Sequence, residues 1–197
     1  MKRKNEKPKN NAQVKSFSSV NFWEQWLAEN HLKSDGLWLQ IFKKDSGVAT
    51  VTYDEALDVA LCYGWIDGQK EKYDEISWLQ KFTPRRSKSI WSKRNREHVA
   101  RLISAGKMKP SGLKEVEAAK MDGRWDNAYD SSKNMQIPSD FFKELMQNEK
   151  AYEFFKSLNK TNIYAIAWRL QTAKKPETRK KRMKQLLEMM ASSKKLH

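Results

Sequence analysis

The sequence predicts a mainly α fold with a small antiparallel β-sheet (α+β), in a single compact domain with a helical C-terminal part. Three observations carry this. The chain has 197 residues, 39% of them hydrophobic, with eight Trp, eight Phe and six Tyr. That is enough for one substantial core. Strand-length apolar or aromatic runs are confined to the first half, at 37–42 and 76–82. From about residue 93 onward, apolar residues recur at helical spacing between cap and stop signals.

The elements follow in order. Residues 1–16 are rich in Lys and Asn with almost no apolar residue, and are expected to form a disordered basic tail. The domain is then 17–197, with a helix, the sheet and the motif loops in 17–110 and helices in 111–197. Asn21 precedes Phe22, Trp23, Trp26 and Leu27, which share a helical face, and Glu24 is spaced as its capping-box partner. This helix is expected to end near Asn30. Residues 37–42 (LWLQIF) read as a buried strand, and Val48 to Val51 as a second short one. Thr52 and Glu55 form a capping-box pattern before Ala56, Leu57, Ala60 and Leu61, and Gly64 is placed to stop that helix. Trp65 to Gly68 read as a turn and 76–82 as a strand broken at Pro84.

Further helices are expected at about 93–105, with Val99, Leu102 and Ile103 inward, and at 111–121. Residues 124–137 read as irregular. Helices then follow from 138, over about 150–158, from Thr161 to about 173, and from Pro176. Pro176 suits a first helical turn because its missing N–H would be unpaired there. Met183, Leu186, Leu187 and Met190 make the apolar stripe of the last helix.

The net charge of +15 is unevenly spread. Residues 21–80 carry five basic and eleven acidic groups, whereas 81–109 carry ten basic and one acidic. The two ends, 1–20 and 174–197, hold +5 and +7. No apolar run approaches the roughly 18 residues of a membrane span, and the basic start has no apolar stretch behind it. The single cysteine, Cys62, excludes an internal disulfide, and the three His show no metal-ligand spacing. These features imply a cytoplasmic protein with no cofactor and no metal.

The densest constellation is 81–95, where Arg85, Arg86, Lys88, Lys93 and Asn95 stand with hydroxyls ahead of a helix start. Arginine forks grip phosphate or carboxylate bidentately, and free N–H groups at a helix start favour the same anions. A solvated basic face with Trp91 as core describes the same residues. Asp67, between Gly64 and Gly68 and beside Trp65, is either a carboxylate facing the Arg loop or a turn residue bonding its own backbone. Trp125, after Arg124, is either a stacking platform or an anchor. Cys62 reads as a buried small hydrophobe, since no His stands near it in sequence. Trp168 reads as buried.

The stretches 63–68 (YGWIDG), 82–95 (FTPRRSKSIWSKRN), 106–112 (GKMKPSG), 123–129 (GRWDNAY) and 173–179 (AKKPETR) resemble successive motifs of the YdeI/OmpD-associated family. The resemblance runs from about Trp23 to Met190. It implies a bacterial protein linked to tolerance of bacteriocins or cationic peptides. It brings no agreed reaction and no catalytic set.

Three readings follow. In the first, a non-enzymatic protein binds an anion, either nucleic acid or a small phosphorylated ligand. Arg85 and Arg86 would grip it, Lys88, Lys93 and Asn95 would assist, and Trp65, Asp67, Trp91, Arg124 and Trp125 would line the pocket. In the second, an enzyme uses Asp67 as base and the Arg loop as charge stabiliser. In the third, the motif residues only hold an interaction scaffold together. At most weak contact with anionic membranes is expected from the last helix.

Overall fold

The computed structural model describes residues 13–131 and 134–196. The expected tail lies outside them up to residue 12. Its last part does not: Val14–Ser16 form strand β1. The chain divides into two compact units. The first runs through Trp91 and resumes over Asn95–Asn127. The second takes Ser92–Arg94 and the chain from Ala128 onward. The last four helices close an apolar core of their own.

In the first unit the order is β1, α1 (Val20–Asn30), β2 (Leu37–Phe42), α2 (Tyr53–Cys62), β3 (Trp65–Lys72), β4 (Ser77–Pro84), α3 (Lys93–Ser104, whose first two residues belong to the second unit) and α4 (Pro110–Met121). The four strands form one sheet in the order β1-β2-β4-β3. β4 pairs antiparallel with β2 and with β3, but β1 runs parallel to β2, with Val14 opposite Trp38. The sheet is therefore mixed, not antiparallel. The cause is α1: two strands joined through a helix return in the same direction. A short 3-10 turn at Lys44–Ser46 follows β2, and residues 48–51 form no strand, although Val51 is fully buried.

The capping box of α2 forms as expected. Thr52 accepts from Glu55 N–H, and the Glu55 carboxylate accepts from Thr52 N–H at 2.9 Å. Helix α1 begins earlier than expected, with Ser19 rather than Asn21 at its cap, and Phe22 is exposed. Its Trp23 is fully buried, stacks on Trp26 (centroids 5.5 Å, 10°) and donates its indole N–H to Ala56 O at 3.0 Å. That bond satisfies a buried donor that would otherwise be costly. Ile103, expected inward on α3, is exposed, while Val99 and Leu102 are buried. Gly112 of α4 lies directly against the last carbonyls of α2.

The second unit contains α5 (Ser139–Met146), α6 (Glu149–Lys156), α7 (Lys160–Gln171) and α8 (Pro176–Ala191). Phe141, Leu145, Phe155, Ile166, Leu170, Leu186 and Met190 form its core. Asn148 and Asn159 cap α6 and α7 through their side-chain oxygens. Pro176 stands in the first turn of α8, as its chemistry requires. Among the described residues no helix is long and apolar enough to cross a membrane.

Candidate functional site

The segment after β4 is held by two arginines that the fold buries. Arg85 is 7% exposed; its backbone N–H donates to Gly64 O (3.0 Å), and its guanidinium lies 3.4 Å over the Trp91 ring. Its Nη1 points at Ile90 O (3.4 Å). Arg124, also 7% exposed, donates from Nε to both carboxylate oxygens of Asp122 (2.8 and 2.6 Å) and from Nη1 to Ser89 O (3.0 Å). Between these anchors the chain makes a tight turn. Ser89 N–H donates to Arg86 O (2.8 Å), and Arg86 N–H donates to Ser89 Oγ (3.0 Å). Arg86, Ser87 and Lys88 stand exposed on it.

A ladder of cations and indoles continues from the turn. Trp91 meets Trp125 edge-on at 4.9 Å, and Arg96 lies 5.2 Å over Trp125 while its Nη1 donates to Trp125 O (2.9 Å). Each guanidinium faces the electron-rich side of a ring, an attraction that grows as water is excluded. The basic block is thus partly internal.

The structure brings Arg85, Arg86, Lys88, Trp91, Arg124 and Trp125 together in the first unit. They differ in exposure: Arg85 and Trp91 are buried, whereas Arg86 and Lys88 are exposed. Trp125 is half-buried. Trp65 neighbours Pro84 across the sheet, but its indole N–H donates to His31 O (3.1 Å). Asp67 lies in β3 rather than in a turn and accepts from the Tyr53 hydroxyl at 2.7 Å. Asn95 is buried in α3. Lys93 belongs to the second unit, where its Nζ pairs with Asp130 at 2.6 Å. Hydrogen bonds from Lys93 and then Gln171 hold the Asp130 carboxyl below its ordinary range.

A second cluster of charged side chains lies in the first unit. Asp58 of α2 accepts from His98 Nδ1 (2.6 Å) and from Arg101 Nη2 (2.7 Å). The sequence signal was the i, i+3 spacing of His98 and Arg101 on α3, which presents both to one partner. Burial pushes the Asp58 carboxyl up, but the hydrogen bonds from Arg101 and His98, helped by their charges, bring it below its ordinary value of 3.8. Asp58, Glu24, Cys62 and Lys109 border a cleft of about 430 Å³. The Cys62 thiol is pushed up to about 11, by burial first and then by Asp58 and Glu24, so it stays protonated at neutral pH.

The sign of the Asp58 effect fixes a pH dependence. A carboxylate lowered by folding stabilises the fold above its unfolded pKa and ceases to do so as pH falls through the folded one. Acid titration of the first unit, followed by tryptophan fluorescence, should show stability falling below about pH 4. Asp58→Asn should flatten that fall while lowering stability at neutral pH. An unchanged acid profile would assign the effect to other carboxylates.

Residues 15–115, just over half of the chain, match the family model described as domain of unknown function DUF8412. The chain belongs to that family. Residues 134–193 match a second model, described as bacteriocin-protection, YdeI or OmpD-associated. The YdeI/OmpD-associated resemblance thus holds over the helices of the second unit. The motifs at 63–68, 82–95 and 106–112 lie in the DUF8412 region, and 123–129 lies between the two. No curated protein and no solved structure matches the chain.

Proposed function

We propose that this DUF8412 protein is a non-catalytic binder of phosphate-bearing ligands, with nucleic acid as the leading class and the 86–89 turn as its contact point. One observation supports the reading above others: two buried arginines are used to fix a four-residue turn whose exposed side chains are Arg86, Ser87 and Lys88. Burying a guanidinium is costly unless it is well bonded. A turn that contributes no core residue gains from such anchoring when its exposed donors must be held in one geometry. Preorganised donors lose less entropy on binding. Half-buried Trp125 offers an indole edge to the same unit. Asp67 is engaged by Tyr53 and the Cys62 thiol is kept protonated, which favours binding over catalysis. The YdeI/OmpD-associated match lies outside the turn. Any part in bacteriocin tolerance is therefore assigned to the second unit, where a chain of net charge +15 would not act by simply sequestering cationic peptides.

The test is fluorescence anisotropy with labelled single- and double-stranded DNA across a salt series. Affinity should fall steeply with salt. The double variant Arg86→Ala/Lys88→Ala should bind about tenfold more weakly, with a log–log salt slope smaller by roughly two. A salt-independent Kd, or a double variant that binds like the parent, would sink the proposal.

A further inference from the structure

The second unit holds a cleft of about 410 Å³ formed by α7, α8 and the residues after α8. Its construction is specific. Ser193 adopts a left-handed backbone (φ 53°), which disfavours residues other than glycine. It does so within a helix-ending motif in which Lys194 N–H donates to Met189 O (2.9 Å) and Ser193 N–H to Met190 O (3.0 Å). The chain is thereby turned back. Leu196 N–H donates to the side-chain oxygen of Asn162, a 2% exposed residue of α7 (3.1 Å). Ser192 and Lys194 are held in the cleft wall by this return.

The wall carries Arg169, Arg182 and Lys194 against a single carboxylate, Glu188. Arg182 is fixed in place: Nη1 donates to Arg169 O (2.8 Å) and reaches Thr172 Oγ1 (3.4 Å). Glu188 faces Lys184 at 3.9 Å. Among the described residues no carboxylate pairs with Arg169, Arg182 or Lys194. Beside these cations lie the apolar side chains of Leu186 and Met189. A recess of this size, with an anchored guanidinium fork, two more cations and an apolar wall, matches a ligand with an oxyanion head and a short apolar body.

We infer that this cleft binds a small organic oxyanion, a phosphate monoester or carboxylate on an apolar group. Arg182 is the fixed fork, and Arg169 and Lys194 complete the charge. The site is independent of the 86–89 turn.

The full chain, labelled with nitrogen-15, should be titrated with phenyl phosphate, benzoate and inorganic phosphate while amide shifts are followed. Phenyl phosphate should saturate, with shifts concentrated at 169–194, and inorganic phosphate should bind roughly tenfold more weakly for want of the apolar contact. If benzoate matches phenyl phosphate, a carboxylate is the natural head group; if it is much weaker, a phosphate ester is. Arg169→Gln and Lys194→Gln should each weaken binding about five- to tenfold, while Glu188→Gln should tighten it a few-fold. The Arg86→Ala/Lys88→Ala protein should give the same shifts, which separates this site from the turn. The inference is overturned if phenyl phosphate does not saturate by about 10 mM, if its shifts centre elsewhere, or if the three charge variants leave its Kd unchanged.

Discussion

Gly112→Ala is expected to lower the unfolding temperature of the first unit by roughly 10 °C. A β-carbon on Gly112 would stand 2.7 Å from Leu61 O and closer still to Cys62 O. Both are backbone atoms at the end of α2, so no side chain can swing aside. The same carbonyl of Cys62 accepts from Lys109 N–H (3.1 Å) just ahead of α4. The two helices would have to separate where they are tied together. Overpacking of this kind costs about 3 kcal/mol or more, against about 1 kcal/mol that alanine returns through helix propensity. Gly106→Ala is the control. It places a side chain at φ +65° with nothing within 4 Å, so it should cost only about 1–2 kcal/mol from backbone strain. Equal melting temperatures for the two variants, measured by circular dichroism, would refute the argument.

The second large effect should come from Arg124→Met. The methionine keeps much of the buried volume but removes the bonds to Asp122 and to Ser89 O. Losing a charge-assisted pair and leaving a backbone acceptor unsatisfied should cost about 2–3 kcal/mol. Asp122 regains water readily because its side chain is 47% exposed, which keeps the loss below that of a fully buried pair. If the turn works as proposed, this variant should also weaken DNA binding several-fold with Arg86 and Lys88 intact. Reduced stability with unchanged binding would separate Arg124 from the turn's function.

Much of the secondary structure was legible, because helical spacing and caps are local. The capping box of Thr52 and Glu55, the left-handed stop at Gly64 and the start of α8 at Pro176 are written within a few residues of each other. The strand 37–42 was equally plain, being apolar on nearly every position. β3 was not legible. WIDGQKEK carries mostly exposed polar residues because it is an edge strand paired on one side, and its glycine mimics a turn. β1 was hidden for a related reason: its three residues pair parallel with β2 across an intervening helix, a relation no short window contains. In the site, the sequence reads Arg85 as an anion-binding cation and Arg124 as pocket-lining, and does not show that both side chains are buried. Sequence alone gives no measure of burial, and an arginine stacked on an indole looks the same as one awaiting phosphate. The Asp58–His98–Arg101 cluster joins residues some forty positions apart, so only half of its signal could be seen locally.

The placement of Ser92–Arg94 bears on how the two family regions could be exchanged between genes. Ser92 bridges Tyr129, Lys93 N–H donates to Tyr129 O (2.8 Å) and Lys93 Nζ meets Asp130. These three residues are encoded well before the rest of their unit. A fragment starting at Ala128 keeps the acceptors but loses their donors, and one cut at the boundary of the 134–193 match loses both. Recombination that copied only the contiguous helical part would deliver an incomplete module. In this chain the second unit includes three residues, Ser92–Arg94, that lie outside the 134–193 match.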